Sequence, residues 1–283
     1  MKAFEFSSLG QSAKLFFDEH GWVQVRNVFD KTQIESFRKV AKGLESVGHQ
    51  GDLLSYSETN SIVYDNHLVS IAKLLLDTNK PVYFGDSNVS IGNDFHRGFH
   101  KDNADKLNAS ASDWQSPYTL LRMGIYTQDH KKHSDCLAIR DGSHKTVETE
   151  VGKPLNIPAE PGDVVIWNLR TSHSGNSNRL RFAPNYFLRY RYYRIMPDFM
   201  FLPRDRERIC FFLTYGKEKD QHLERYIRYL KTRKYMVDIW CHSHYAEEQL
   251  TKAKTTLEVI QMSEEANNIS PEQLNVMHKE LTS

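Results

Sequence analysis

The stretch PGDVVIWNLRTSHSGN, residues 161–176, sets the pattern for the central part of the chain. Pro161-Gly162-Asp163 predicts a turn, and the apolar run VVIWNL that follows it predicts a short strand. His173 comes just after that strand and before a polar Gly-Asn turn. The stretch therefore places one histidine at the end of a predicted strand.

Similar short runs occupy the chain from Pro81 to about Tyr215, with Gly, Asn and Asp between them. Many short strands separated by turn residues indicate a barrel or jelly roll rather than alternating βαβ units. No GxGxxG or Walker-type loop favours the other reading. The further predicted strands are PVYFG, SIGNDFHRGFHKD, LLRMGIYTQ, DCLAIRD and NYFLRYRYYRI.

Helical spacing of apolar residues is found on both sides of this region. The sequence predicts helices over 11–19, over 31–44 with Asp30 or Thr32 as the cap, and over 66–76, with a strand at GWVQVRNVF. After Gly216 it predicts helices in HLERYIRYLKTRKYM, from Tyr245 to Ala266, and from Pro271 to Leu281 with Ser270 as the cap.

These patterns predict an α+β fold with a double-stranded β-helix core of the jelly-roll or cupin-like type. Residues 1–80 form a mixed, mostly helical part, residues 81–215 the core and residues 216–283 a helical extension. Few breaks resemble a flexible linker, so we expect one domain over 1–283.

Composition excludes several classes of function. Lys plus Arg is 37 and Asp plus Glu is 36, so no overall field attracts nucleic acid or an anionic membrane. No run approaches the roughly 18 apolar residues of a membrane span, and the N-terminus lacks a signal-peptide pattern, so we expect a cytoplasmic protein. Three cysteines without metal or disulfide spacing are expected to be reduced and buried.

A metal site is predicted from His100, Asp102 and His173. Residues two apart on a strand share a face, so the His100 and Asp102 side chains can bind one ion, and His173 supplies a third ligand from a neighbouring strand. Two histidines and one carboxylate leave coordination positions open, as non-heme Fe(II) oxygenases require, whereas a structural zinc site needs a fourth ligand.

The motifs together resemble the phytanoyl-CoA dioxygenase-like family of Fe(II)/2-oxoglutarate oxygenases. The resemblance covers roughly residues 15–195, from the HxD motif through Asp129, LAI and Asp141-Gly142-Ser143-His144 to Gly162-Asp163 and His173. The chain departs from the family in having aspartate where proline usually precedes Gly142. The resemblance implies iron, 2-oxoglutarate and dioxygen at the site, and hydroxylation of a small molecule with release of succinate and carbon dioxide.

The resemblance also implies an arginine, on the strand after the distal histidine, that pairs with the 2-oxoglutarate C5 carboxylate. Arg181 lies eight residues past His173, which suits a tight turn followed by a strand, and Arg179 is the reserve. Arg189 and Arg191 share the same strand parity. Thr127, and Tyr126 beside it, lie on a strand that often borders cosubstrate in the family.

Other polar residues have weaker assignments. His96 has the parity of the ligands and could contact substrate, and Arg97 and Arg122 suit a polar or anionic substrate, although each is also explained as solvated charge. Lys101 points away from the ligands and receives no role. His130, His133 and His144 are interpreted as turn residues rather than as a second metal site.

Three alternatives remain open at this level. The core could hold another metal-dependent enzyme that does not use 2-oxoglutarate, or a binding protein without catalysis. The basic and aromatic stretch 189–194, with basic residues from 225 to 234, could bind nucleic acid, but a charged face opposite a packed one is the better explanation. Apolar faces on the C-terminal helices permit a homodimer.

Overall fold

The structure, a computed structural model, describes residues 2–48, 50–92, 98–184, 186–193, 195–205 and 207–269. In these residues an eight-stranded sheet, a three-stranded sheet and several helices form an α+β fold. None of the described helices is long and apolar enough to cross a membrane. The strands are β1 (Phe4–Glu5), β2 (Trp22–Arg26), β3 (Val82–Tyr83), β4 (Ser87–Ile91), β5 (Leu120–Tyr126), β6 (Cys136–Asp141), β7 (Lys153–Ile157), β8 (Val164–Asn168), β9 (His173–Ser177), β10 (Ile209–Gly216) and β11 (Glu258–Val259).

The N-terminal helices predicted from the sequence begin at Gln11, Lys31 and Asn66 as expected, but the first two continue past their predicted ends to His20 and Val47. Asp30 caps the helix that begins at Lys31. Its carboxylate accepts a 2.8 Å hydrogen bond from the Gln33 backbone amide, and the Gln33 side chain accepts a 2.9 Å hydrogen bond from the Asp30 backbone amide. Thr32 therefore lies inside the helix. The helices are α1 (Gln11–His20), α2 (Lys31–Val47), α3 (Asn60–Val63), α4 (Asn66–Leu76), α5 (Tyr190–Tyr193), α6 (Gln221–Leu230), α7 (Lys234–Cys241), α8 (Glu247–Lys254) and α9 (Ser263–Asn267).

The contacts divide the chain into two compact units, and β5 and β10 contribute residues to both. In the first unit β2 pairs with β8 in antiparallel register, Trp22 facing Trp167, and the three-stranded sheet has the order β7-β6-β9. The first unit consists of Met1–Ala41, Val89–Pro117 and Arg122–Phe212, and the second of Lys42–Asn88, Tyr118–Leu121 and Leu213–Ser283.

A cluster of buried side chains forms the core of the first unit. Every residue of β8 is buried; Val165 and Trp167 join Leu137 and Ile139 of β6 in this cluster, with Tyr126 from β5. A strand buried on both faces is apolar throughout, which explains why VVIWN shows no alternation of polar and apolar residues. The side chains that fill the space between the strands are thus large and aromatic.

The predicted turn before β8 has a physical cause in Gly162 and Asp163. Gly162 adopts a φ of 99°, and a Cβ there would lie 2.2 Å from the Phe29 carbonyl oxygen. The Asp163 carboxylate accepts the Gln24 side-chain amide at 2.7 Å and the Glu160 backbone amide at 3.0 Å. The Gly-Asp pair therefore fastens β2 to the start of β8.

The second unit contains most of the C-terminal helices. In it β3 pairs with the end of β10, Val82 facing Gly216, and with β11. The buried Asp52 carboxylate accepts a 2.6 Å hydrogen bond from Tyr245, and burial raises the pKa of Asp52 although hydrogen bonds from Tyr245 and Ser243 oppose this. This network holds the start of the unit to its helical end.

The structure corrects several sequence-based predictions. NYFLRYRYYRI does not form a strand, because its described part contains the helical turn α5. His173 does not precede a turn but begins β9, and β7 and β10 were not predicted. The helix predicted from Tyr245 to Ala266 is interrupted by β11. The helix predicted over 271–281 lies outside the described residues.

Candidate metal centre

The three predicted ligands are brought together by backbone hydrogen bonds. The His100 amide donates to the His173 carbonyl at 3.0 Å, and the His173 amide donates to the His100 carbonyl at 2.9 Å. The Asp102 amide donates to the carbonyl of Leu169, in the turn between β8 and β9, at 3.0 Å. The segment with His100 and Asp102 therefore runs beside β9, and the ligands face a common point.

The geometry fits a single metal ion. One ligand atom from each of the three residues lies within 4.8 Å of the other two. Nε2 of His100 is 3.7 Å from Asp102 Oδ1, and Nε2 of His173 is 3.4 Å from Asp102 Oδ2. No second group of this kind occurs in the part of the chain that the structure describes.

The two imidazoles have the tautomer that metal binding needs. Nδ1 of His100 donates to the Gly98 carbonyl at 3.1 Å, and Nδ1 of His173 donates to the Thr171 carbonyl at 3.0 Å. A proton held on Nδ1 leaves the Nε2 lone pair directed at the ion. The donor set is thus the Nε2 atoms of two imidazoles and one carboxylate, with the remaining positions left to other ligands.

Electrostatics keep the third ligand ionised. Burial raises the pKa of Asp102, but the nearby His173 and Arg122 outweigh burial and hold it well below its usual range. Burial and the neighbouring His173 lower the pKa of His100. An ionised carboxylate binds a divalent cation without first losing a proton.

Arg122 is a site residue that the sequence could not distinguish from solvated charge. It lies on β5, and its Nη1 donates to Asp102 Oδ2 at 3.1 Å. The alternation of β5 directs Arg122 toward the ligands while its apolar neighbours Leu121 and Met123 face away. A signal existed in the sequence, since an arginine in an otherwise apolar strand has to find a polar partner.

Lys101, between two ligands, is fully buried rather than solvated. Its ammonium donates to the carbonyls of Ser143 and Arg170, both at 2.7 Å. Burial, together with the nearby Arg170, lowers the pKa of Lys101 to about 7. The side chain points away from the metal point, as strand parity predicts, but it is part of the scaffold around the ligands.

The residues predicted to bind cosubstrate lie in different surroundings. Arg181 is exposed and donates to the carbonyls of Phe199 and Phe201 at 3.2 and 3.3 Å. Arg179 is buried and donates to the carbonyls of Pro184, at 3.0 Å, and His130.

The expected tight turn after β9 is wrong, because residues 178–208 separate β9 from β10 and both arginines belong to that connection. Arg189 and Arg191 lie there too, on either side of the start of α5. The Thr127 hydroxyl accepts a 2.9 Å hydrogen bond from Arg38 of α2. His96 and Arg97 are outside the described residues.

An aromatic interior extends from the metal ligands along β5, β8 and β10. The His173 and Trp167 ring centroids are 5.2 Å apart, Trp167 is 6.1 Å from Phe212, and Phe212 is 6.3 Å from Tyr126. The Tyr126 ring is in turn 5.0 Å from that of His130. These contacts define a continuous row of rings that leads away from the ligand atoms and is buried except at the partly buried Phe212.

Buried polar groups lie at the far end of this row of rings. Both nitrogens of the His130 ring and both polar atoms of the Gln128 amide have no hydrogen-bond partner among the described residues. Arg208, which directly precedes β10, is only 4% exposed, and its charge helps to lower the pKa of His130, after burial. His130 lies in the turn after β5, as the sequence predicts, but its ring is buried. No sequence pattern identified Arg208.

Comparisons with known proteins support the fold. No protein-family model and no curated protein matches this chain. Solved structures do: SnoK, a non-heme alpha-ketoglutarate-dependent carbocyclase from nogalamycin biosynthesis, is 17% identical with a TM-score of 0.53, covering 80% of this chain and 94% of its own. HygX from Streptomyces hygroscopicus, with nickel and 2-oxoglutarate bound, is 13% identical with a TM-score of 0.55, covering 76% and 90%.

A third similar structure is SnoN, an epimerase in complex with Fe3+, alpha-ketoglutarate and nogalamycin RO. It is 14% identical with a TM-score of 0.52 and covers 73% of this chain and 83% of its own. At these identities the likeness shows a shared fold. It is a fold that non-heme iron, 2-oxoglutarate-dependent enzymes use.

Proposed function

We propose that this protein is a non-heme Fe(II) and 2-oxoglutarate-dependent oxygenase that hydroxylates a polar or anionic small molecule. The observation that carries the proposal is the triad of His100, Asp102 and His173, whose ligand atoms lie within 4.8 Å of one another. A facial set of two imidazoles and one carboxylate leaves room for a bidentate cosubstrate and dioxygen. The fold shared with enzymes of this chemistry supports the proposal.

The sheet order supports a double-stranded β-helix core. β8, β5 and β10 are neighbours in one sheet, while β7, β6 and β9 form the other, and large side chains from both fill the space between them. The segment with His100 and Asp102 bridges to β9 at the edge of the smaller sheet. Within the superfamily, the sequence motifs favour the phytanoyl-CoA dioxygenase-like family.

The side chains of the chain have defined parts in this function. His100, Asp102 and His173 would hold the iron, and Arg122 would keep the Asp102 carboxylate oriented and ionised. Iron, 2-oxoglutarate and dioxygen would together supply an oxidant that replaces a substrate C–H bond with C–OH, with succinate and carbon dioxide as coproducts. The buried ring of Trp167, with the partly buried ring of Phe212 beside it, would exclude water from the interior beside the ligands.

For the C5 carboxylate of 2-oxoglutarate we propose Arg208. It directly precedes β10, the next strand after the one that carries His173, and it alternates with Cys210 and Phe212 toward the aromatic interior. Within the described residues its Nε and Nη1 make only long hydrogen bonds of 3.4 and 3.5 Å, to the Asp135 carbonyl and the Ser90 hydroxyl. A guanidinium held this loosely can turn its fork to a carboxylate.

Arg179 and Arg181 remain alternatives for this carboxylate. Their guanidinium groups already donate to backbone carbonyls in the β9–β10 connection. Binding of a carboxylate by either residue would require those bonds to break.

The test of the function is anaerobic loading of the protein with Fe(II) and 2-oxoglutarate, followed by oxygenation with a metabolite library and measurement of succinate. We expect a visible absorption band on loading that is absent from His173→Ala, and succinate formation that depends on substrate. A band without succinate for any substrate would favour a binding protein. Substrate turnover without 2-oxoglutarate would favour another metal-dependent enzyme on the same fold.

A further inference from the structure

Lys101 occupies a position where a side chain usually reaches solvent. It lies between the ligands His100 and Asp102 and points to the opposite face, yet it is 0% exposed. Its ammonium donates two 2.7 Å hydrogen bonds, one to the Arg170 carbonyl in the turn before His173 and one to the Ser143 carbonyl after β6. One side chain thus connects the segment of two ligands to two other segments.

Ser143, whose carbonyl accepts from Lys101, also belongs through its hydroxyl to a closed set of hydrogen bonds with Arg140 and Ser172. The Ser143 hydroxyl accepts the Ser172 amide at 2.9 Å and donates to the Arg140 carbonyl at 2.6 Å. The Arg140 amide donates to the Ser172 carbonyl at 2.9 Å. Ser172 directly precedes His173, so the set reaches the third ligand through one peptide bond.

The surroundings of the Lys101 ammonium do not stabilise the folded protein. No ion pair to Lys101 is formed within the described ranges, and its nearest charged neighbour, Arg170, is also a cation. Both cations lie over the Trp114 ring, at 5.5 and 5.3 Å from its centroid. A buried ammonium without a carboxylate costs free energy that an apolar side chain of equal length would not cost.

We propose that Lys101 is a positioning residue of the metal centre. Its ammonium holds the His100–Asp102 segment at a fixed separation from the turn, residues 169–172, that directly precedes His173. The inference rests on the proposed metal site but not on the identity of the cosubstrate or substrate. Groups that orient metal ligands typically change metal affinity about 10- to 100-fold when they are removed.

The experiment is a titration of the metal-free full-length chain with Co(II), read by ligand-field absorption, which needs no turnover. Lys101→Met keeps the length of the side chain and removes both hydrogen bonds. We expect its Co(II) affinity to fall about 10- to 100-fold and its absorption band to shift, because the ligand spacing is no longer fixed. Lys101→Gln, which keeps an N–H donor without the charge, should regain part of the affinity. Lys153→Met, at an exposed lysine on β7, is the matched control and should titrate like the wild type.

The possible outcomes distinguish the proposed metal site from the proposed positioning role of Lys101. If the wild type binds no Co(II), or binds it equally well after His173→Ala, the proposed metal site is wrong. If the wild type binds Co(II) through the triad and Lys101→Met has the same affinity and band, the positioning role alone is wrong. If Lys101→Met does not fold, Lys101→Leu, which is shorter and also makes neither hydrogen bond, takes its place, and an affinity equal to that of the wild type overturns the role.

Discussion

The two connections on either side of β9 are built in opposite ways. In the turn before it, residues 169–172, every carbonyl accepts a hydrogen bond: from the Asp102 amide, Lys101, His173 Nδ1 and the Arg140 amide in turn. In the connection after it, residues 178–208, large apolar side chains are exposed, with Phe182 at 78% and Ile195 at 75%.

The metal ligands are attached to the first connection, and the arginines predicted from spacing lie in the second. A short turn with all its polar groups paired preserves spacing, whereas a long connection does not. The difference explains why the three predicted ligands lie together, whereas the strand that the sequence predicted to carry Arg181 is not formed.

The largest effect on metal affinity should come from removing His173, the ligand that directly follows the turn of residues 169–172. His173→Ala deletes one of three ligands, so metal affinity should fall by more than the roughly 100-fold that loss of an orienting group can cost. Isothermal titration with Fe(II) or Co(II) under argon measures it. His244→Ala, at an exposed histidine, serves as the control. Equal binding by the two variants would place the metal elsewhere.

The second effect compares two arginines of the long connection: Arg208, buried at its end next to β10, and Arg181, in its exposed part. Arg208→Met should lower 2-oxoglutarate affinity about 10- to 100-fold, because a charge-assisted pair in a buried site is lost, while metal affinity stays unchanged. Arg181→Met, in the exposed connection, should change neither. The affinities are measured by the absorption band in the presence of Fe(II). If Arg181→Met has the larger effect, the sequence-based assignment is right and ours is wrong.

The third effect concerns protonation of the carboxylate ligand. The pKa of Asp102 is lowered by His173 and Arg122 against the effect of burial, so Arg122→Met should raise it. A raised pKa means that protons compete with the metal at higher pH, so affinity should start to fall at a higher pH than in the wild type. Metal titrations from about pH 4 to 7 show the shift. Identical pH profiles would mean that Arg122 does not stabilise the carboxylate.

The smallest effect, a change in the free energy of unfolding, should be found in the exposed connection of residues 178–208. Phe182→Ala removes a side chain that is mostly in water, so the free energy of unfolding should change by less than about 0.5 kcal/mol. Gly162→Ala is the contrasting variant, since a Cβ would meet the Phe29 carbonyl at 2.2 Å, and it should destabilise by about 1–3 kcal/mol. Urea unfolding measures both. A large loss with Phe182→Ala would show that the connection carries stability.

Local sequence patterns predicted the structure where residues that are close in the chain are also close in space. The helix over 66–76 and the strand after Gly162-Asp163 follow from periodicity and turn chemistry. His100 and Asp102 do lie together, but the strand predicted in SIGNDFHRGFHKD is not formed around them, since among residues 98–102 only His100 makes a β-bridge. Local sequence patterns failed where a residue had no periodic neighbour to identify it. NYFLRYRYYRI has strand-like composition, but its described part turns through α5, because composition alone does not specify pairing with another strand.

The sequence by itself determined the ligand types, the two-residue spacing that keeps His100 and Asp102 close together, and the turn that starts β8. Only the tertiary structure decided that Lys101 is buried against two carbonyls, that Arg122 bonds Asp102 at 3.1 Å, and that Arg208 rather than Arg181 borders the aromatic interior. These three facts depend on contacts between segments far apart in the chain. Burial and charge pairing arise between such segments, so the local periodicity of the sequence does not predict them.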